Sequence, residues 1–159
     1  MSEPGKSRED SPVCPTSESV AIDGPVASGK TTIGVRVAQR LGWRFLDTGS
    51  MYRAFTWTAL SRNVDPNDAE AQSALAGRIR IRLLSRRGGD RLLVDGQDVT
   101  EYLRDPWVER NVSLFSRVSG VRSAFVEQQR GIAHEGPVVM GGRDIGTVVL
   151  PCAEVKVFL

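Results

Sequence analysis

The densest chemistry in the chain lies in Val20-Ala21-Ile22-Asp23-Gly24-Pro25-Val26-Ala27-Ser28-Gly29-Lys30-Thr31-Thr32, an apolar run entering a glycine-rich loop. Gly24, four intervening residues and then Gly29-Lys30-Thr31 is the spacing of a phosphate-binding loop. In such a loop backbone N–H groups converge on a polyphosphate, a lysine reaches its outer phosphates and a hydroxyl reaches Mg²⁺. Glycine permits the close backbone approach, and the helix that follows aims its unpaired N–H groups at the anion. A strand, turn and helix with chance glycines would show the same short pattern. The flanks favour the phosphate reading, because 20–22 is a short apolar run and helical periodicity begins directly after the loop.

Two further stretches carry charge at the ends of apolar runs. Asp47-Thr48-Gly49-Ser50-Met51-Tyr52-Arg53 follows residues 43–46, and Arg53 falls in the first turn of a helix expected over 50–62. A cation there opposes the helix dipole, so a bound anion is its natural partner; a solvated arginine is the other reading. Gly141-Gly142-Arg143-Asp144-Ile145-Gly146-Thr147 ends the apolar run 137–140. An arginine and an aspartate delivered there, with the phosphate loop at another strand end, point to recognition of a second substrate.

Those loops need a sheet to carry them. Residues 20–22, 43–46, 137–140 and 155–159 read as strands, and ligands of an open parallel sheet gather at its C-terminal edge. Ile33, Val37, Ala38 and Leu41 give the helix after the loop an apolar stripe, closed by Gly42. Asp65-Pro66 and Asp105-Pro106 each start a helix by cap and N1 chemistry, the first ending before Gly77. Val121, Ala124, Phe125 and Ile132 mark another helix over 121–131. Between these, 78–83 alternates arginine with aliphatic residues and pairs with 91–95 across a turn at 86–90, an inserted β-hairpin that implies a second lobe. Its arginine face lacks interleaved aromatics to stack bases, so a solvated edge fits it better than a nucleic-acid footprint.

The 159 residues, 40% hydrophobic and 25% charged with a net charge of +2, suit one globular core and a small inserted lobe. That charge is too small to argue for a nucleic-acid or membrane partner. Without an apolar run of about 18 residues or a secretory N-terminus, a cytoplasmic protein is expected. Residues 1–18 are expected to form a disordered tail. Cys14 and Cys152 show neither disulfide nor metal spacing and are expected as reduced thiols, with the lone His134 at the surface.

The phosphate loop, the segment Asp47-Thr48-Gly49-Ser50-Met51-Tyr52-Arg53 and the segment Gly142-Arg143-Asp144-Ile145-Gly146-Thr147 together resemble the bacterial-type cytidylate kinases, over about residues 20–159. The resemblance implies a three-layer α/β P-loop fold with a parallel sheet over 19–159, and an inserted α+β monophosphate-binding lobe at about 63–136. It implies transfer of the γ-phosphoryl group of ATP, with Mg²⁺, to CMP or dCMP. Carried over by position, Gly24, Pro25, Val26, Ala27, Ser28, Gly29, Lys30, Thr31 and Thr32 hold the ATP phosphates, with Thr31 at the metal. Thr48, Arg53 and Arg143 meet the acceptor phosphate, while Ser113, Arg122 and Asp144 read the cytosine ring. Lys30, Arg53 and Arg143 are the catalytic cations. Guanidinium forks suit phosphate, and phosphoryl transfer asks for alignment and charge neutralisation rather than a general base.

The chain departs from the family where Gly141 replaces a common acid and Cys152 a common aspartate. The family also continues past this point into a lid, arginine-bearing helices and a last strand. The chain therefore reads as a C-terminally truncated member, monomeric when complete, that binds nucleotides and turns over slowly. The alternatives are a non-catalytic nucleotide-binding fragment, separated by an ADP-release assay, and another small-molecule P-loop kinase, separated by an acceptor panel.

Overall fold

The structure, a computed structural model, describes residues 14, 18–86 and 89–159. In chain order, β1 (Ser19–Asp23) leads through the glycine loop to α1 (Lys30–Leu41), and β2 (Arg44–Asp47) runs directly into α2 (Thr48–Ser61). After α3 (Ala69–Arg78) come β3 (Ile81–Arg86), β4 (Gly89–Val94) and β5 (Gln97–Asp98), an antiparallel sheet of their own. Helices α4 (Pro106–Ser116) and α5 (Ser119–His134) return the chain to β6 (Val138–Gly142), a single π-helical turn (Ile145–Val149) and β7 (Val155–Phe158).

The central sheet is parallel, in the order β2-β6-β1-β7, within a three-layer α/β architecture. Its register decides what meets at the C-terminal edge. Asp23 lies opposite Gly142 on one side and Phe158 on the other, and Asp47 lies opposite Gly141. β1, β6 and β7 therefore finish level and β2 ends one residue short of them, at the edge where an open parallel sheet presents ligands.

Behind that edge Phe55 meets Phe115 and Phe125 edge-on, with centroids 5.9 and 5.4 Å apart, and Met51, Leu46 and Met140 fill the space around them. Each aromatic ring removes about 150–250 Å² from water, so this cluster dominates the core. Leu83 and Leu92 of the second sheet belong to the same apolar cluster, which gives the hairpin a buried face.

Several expected boundaries move. Helix α2 starts at Thr48, not 50, because the Asp47 carboxylate accepts the Gly49 N–H at 2.9 Å and caps it. Asp65-Pro66 forms a turn, and Asp68 is the cap of α3, accepting the Ala71 N–H at 2.9 Å. Gly77 consequently lies inside α3, and Arg78 is its last residue rather than the first of a strand. The alternation survives this shift, since Ile79, Ile81 and Leu83 are buried while Arg80 and Arg82 are exposed. Helix α5 runs on to His134, whose Nδ1 lies 3.1 Å from the Arg130 carbonyl. The stripe on α1 is half right: Ala38 is buried and Val37 packs beside it, but Ile33 and Leu41 are 40% and 46% exposed. The Phe45 ring fills that face instead, resting where a Cβ on Gly34 would come within 2.1 Å of it.

Cys14 and Cys152 are joined in a disulfide across 138 residues, with Cα atoms 5.5 Å apart, which corrects the expectation of reduced thiols. Sequence spacing carries no signal at that separation. Apart from positions 14 and 18, the tail expected over 1–18 lies outside the described residues, as do residues 87–88 of the hairpin turn. Among the described residues no helix is long and apolar enough to cross a membrane.

Candidate active site

The glycine loop owes its shape to the backbone. Ala27 and Gly29 both take positive φ, 63° and 90°, and the Ser28 N–H turns back to the Pro25 carbonyl at 3.4 Å. Helix α1 starts from Gly29 with no side-chain cap and no acidic residue in its first turn, so its leading N–H groups are unopposed donors for an anion. Lys30 Nζ folds across the loop, donating to the Pro25 carbonyl and lying 3.4 Å from Ser28 Oγ.

Thr31 leaves the loop toward β2, where its Oγ1 donates to Asp47 Oδ2 at 3.1 Å. A hydroxyl and a carboxylate at the phosphate end of a helix form a hard-oxygen donor set, and Mg²⁺ commonly takes one or two protein ligands beside phosphate oxygens and water. The residues present thus fit that ion. Gly141 adds no carboxylate, and its carbonyl accepts from Thr48 Oγ1 at 3.1 Å. A cavity of about 550 Å³ opens on the far flank of Asp47, between α1, β2 and the hairpin, lined among others by Thr31, Ser50, Phe45, Asp90 and Arg104. It reaches Thr31 and Asp47 but not Arg143 or Asp144.

The second group of candidate residues comes from four elements. Thr48 is buried at the start of α2, and Arg53 folds back along that helix until its Nη1 lies against Gly49. Arg53 Nε donates to Glu109 Oε1 of α4 at 3.1 Å, an oxygen that Arg104 Nη1 also approaches at 3.4 Å. Arg53 is therefore anion-bound rather than simply solvated, with a carboxylate as its anion. Ser113 is exposed one turn beyond Glu109 on α4. Arg122 on α5 faces Asp144 at 3.8 Å. Arg143 is exposed at the end of β6 and makes no hydrogen bond or ion pair within the described residues.

Four residues to which the sequence analysis gave no role of their own belong to this edge. Asp47 and Glu109 hold Thr31 and Arg53, respectively. Tyr52 packs its ring 5.1 Å from Phe125; burial pushes its hydroxyl above the usual tyrosine range, while the Arg122 guanidinium pulls the other way. Asp23 accepts the N–H groups of Ile145 at 2.7 Å and Gly146 at 2.8 Å. Asp23, Asp47 and Tyr52 stand within the motif segments, whereas Glu109 carried no sequence signal.

A family model described as cytidylate kinase matches residues 20–159. The chain is similar to the cytidylate kinase of Bacillus velezensis, with 48% identity over 141 residues covering 89% of this chain and 63% of the relative. The cytidylate kinase of Bacillus subtilis is 45% identical over 141 residues, with the same coverage of 89% and 63%. A bifunctional pantoate ligase/cytidylate kinase of Gloeobacter violaceus is 48% identical over 143 residues, 88% of this chain and 28% of that protein. The chain thus spans 63% of the length of the first two relatives.

Proposed function

This chain belongs to the cytidylate kinase family, and from that premise we propose that the protein transfers the γ-phosphoryl group of ATP to CMP or dCMP. The observation that carries the reading is that β1, β2 and β6 end within one residue of one another, which sets the phosphate loop, the start of α2 and the Arg143-Asp144 pair along one edge.

In this reading residues 24–32 and the first turn of α1 hold the donor phosphates, with Lys30 adding a full charge. Thr31 and Asp47 hold Mg²⁺, which when bound neutralises phosphate charge. Arg53 and Arg143 grip the acceptor phosphate beside Thr48, and Arg53 moves between Glu109 and that phosphate as its two anionic partners. Ser113, Arg122 and Asp144 read the cytosine edge, within an acceptor-binding lobe spanning about 63–136. The acceptor phosphate loses its second proton near pH 6, so it arrives as an anionic nucleophile and needs no base.

The test is ADP release by the purified chain with CMP, dCMP, AMP and UMP as acceptors. Release that depends on CMP or dCMP is expected. Nucleotide binding without release would assign a non-catalytic binding role, and a preference for AMP or UMP would assign a different kinase.

A further inference from the structure

Asp23 is the last residue of β1, an inner strand of the sheet, and the residue directly before Gly24, and its backbone is held from both sides. It pairs with Gly142 of β6 and Phe158 of β7, and its carbonyl accepts the Leu159 N–H at 2.9 Å. Both carboxylate oxygens are used on the segment after β6, Oδ1 on the Ile145 N–H at 2.7 Å and Oδ2 on the Gly146 N–H at 2.8 Å. Hydrogen bonds of that length to an ionised acceptor belong to the stronger class.

The segment held this way begins with Asp144, which sits in the left-handed region at φ 56°. Among residues with a Cβ, aspartate is one of the few that visit this region, and then as a single residue. The fit around Asp23 is close, since a Cβ on Gly146 would lie 3.2 Å from Asp23 Oδ2 and 3.1 Å from Lys156 Cδ. Asp144 then faces Arg122 at 3.8 Å.

We propose that Asp23 is a positioning residue that sets acceptor specificity: by clamping the N–H groups of Ile145 and Gly146 it holds Asp144 in its base-reading conformation, in fixed register with the phosphate loop. The inference rests on the assignment of Asp144 to the acceptor base. It adds that one carboxylate, adjacent in sequence to the donor loop, governs acceptor choice without touching the acceptor.

The experiment compares CMP with ribose 5-phosphate, which has a sugar phosphate but no base, by calorimetry on the wild type, Asp23→Ala, Asp144→Ala and the double variant. Melting curves establish that each is folded. Asp23→Ala is expected to weaken CMP about tenfold or more and ribose 5-phosphate less than about threefold. In the Asp144→Ala background the same change should cost CMP less than about threefold, because the two residues act through one contact. Asp23→Asn keeps one acceptor oxygen, should fall between wild type and Asp23→Ala, and supplies the comparison if the alanine variant does not fold. Equal losses for both ligands, or additive losses in the double variant, would overturn the proposal while leaving the acceptor assignment standing. A wild type that binds CMP no better than ribose 5-phosphate would overturn the base-reading assignment and the proposal with it.

Discussion

The glycine loop is made of consecutive residues between β1 and α1, whereas the proposed acceptor cluster is assembled from α2, α4, α5 and the end of β6. In the first, the cation is satisfied locally, Lys30 donating to the Pro25 carbonyl within the loop. In the second, two of the three cations are paired with carboxylates from other elements, Arg53 with Glu109 and Arg122 with Asp144, while Arg143 is exposed. A local phosphate site depends on backbone shape and one charge. An assembled site depends on the packing that brings its elements together, and in the proposed reading an incoming phosphate competes with Glu109 for Arg53. The two regions should therefore fail separately and by different means.

The sharpest separation comes from Lys30→Ala. Loss of one charge-assisted contact of roughly 1.5–3 kcal/mol should weaken ATP by about 10- to 100-fold and leave CMP within about twofold, read by calorimetry. Matching losses for both ligands would erase the distinction between the regions. Gly142→Ala attacks the other side through packing. The new Cβ would lie 2.1 Å from the buried Thr48 Oγ1, so about 1–3 kcal/mol of stability should be lost in denaturant unfolding, with CMP binding more affected than ATP binding.

Glu109→Gln should act in the opposite direction. It removes the carboxylate that competes for Arg53, and since half-exposed ion pairs are worth about 0.2–1 kcal/mol, CMP should tighten by up to about fivefold while ATP is unchanged. Weaker CMP binding would mean that Glu109 orients Arg53 rather than competing for it. The smallest effect is on pH dependence at Asp95, which lies outside both regions. The Arg80 backbone N–H, at 2.8 Å, and the Arg62 side chain hold its carboxyl below the usual aspartate range. A carboxyl depressed in the folded state stabilises fully above its unfolded pKa of about 3.9, and that contribution disappears as pH falls through the lower folded value. Asp95→Asn should flatten the acid limb of the stability curve, slightly because the group is exposed, without altering either ligand's affinity.

What the sequence made legible follows the same division. The strand, loop and helix of residues 19–41 were readable because each local signal agreed, from the apolar run through the glycine spacing to the Gly42 cap. The residues proposed for the acceptor site could be nominated one by one, but not the contacts between elements that hold them. Glu109 meets Arg53 from 56 residues away, and Asp23 meets Ile145 and Gly146 from 122 and 123. Asp65-Pro66 misled because Asp68 offers the same cap chemistry three residues on, and Ile33 and Leu41 misled because a ring from β2 took the helix face they were expected to fill. On α1, packing from another element chose between signals that were locally equivalent.

The most direct measurement is a calorimetric titration of CMP into the 159-residue chain, alone and then with a saturating non-hydrolysable ATP analogue. If the glycine loop and the acceptor cluster are two adjacent sites, CMP binds with unit stoichiometry in both titrations and its affinity changes by less than about tenfold, a coupling of under about 1.4 kcal/mol. Abolition of CMP binding by the analogue would place both ligands in one site and contradict the division of the edge into donor and acceptor regions.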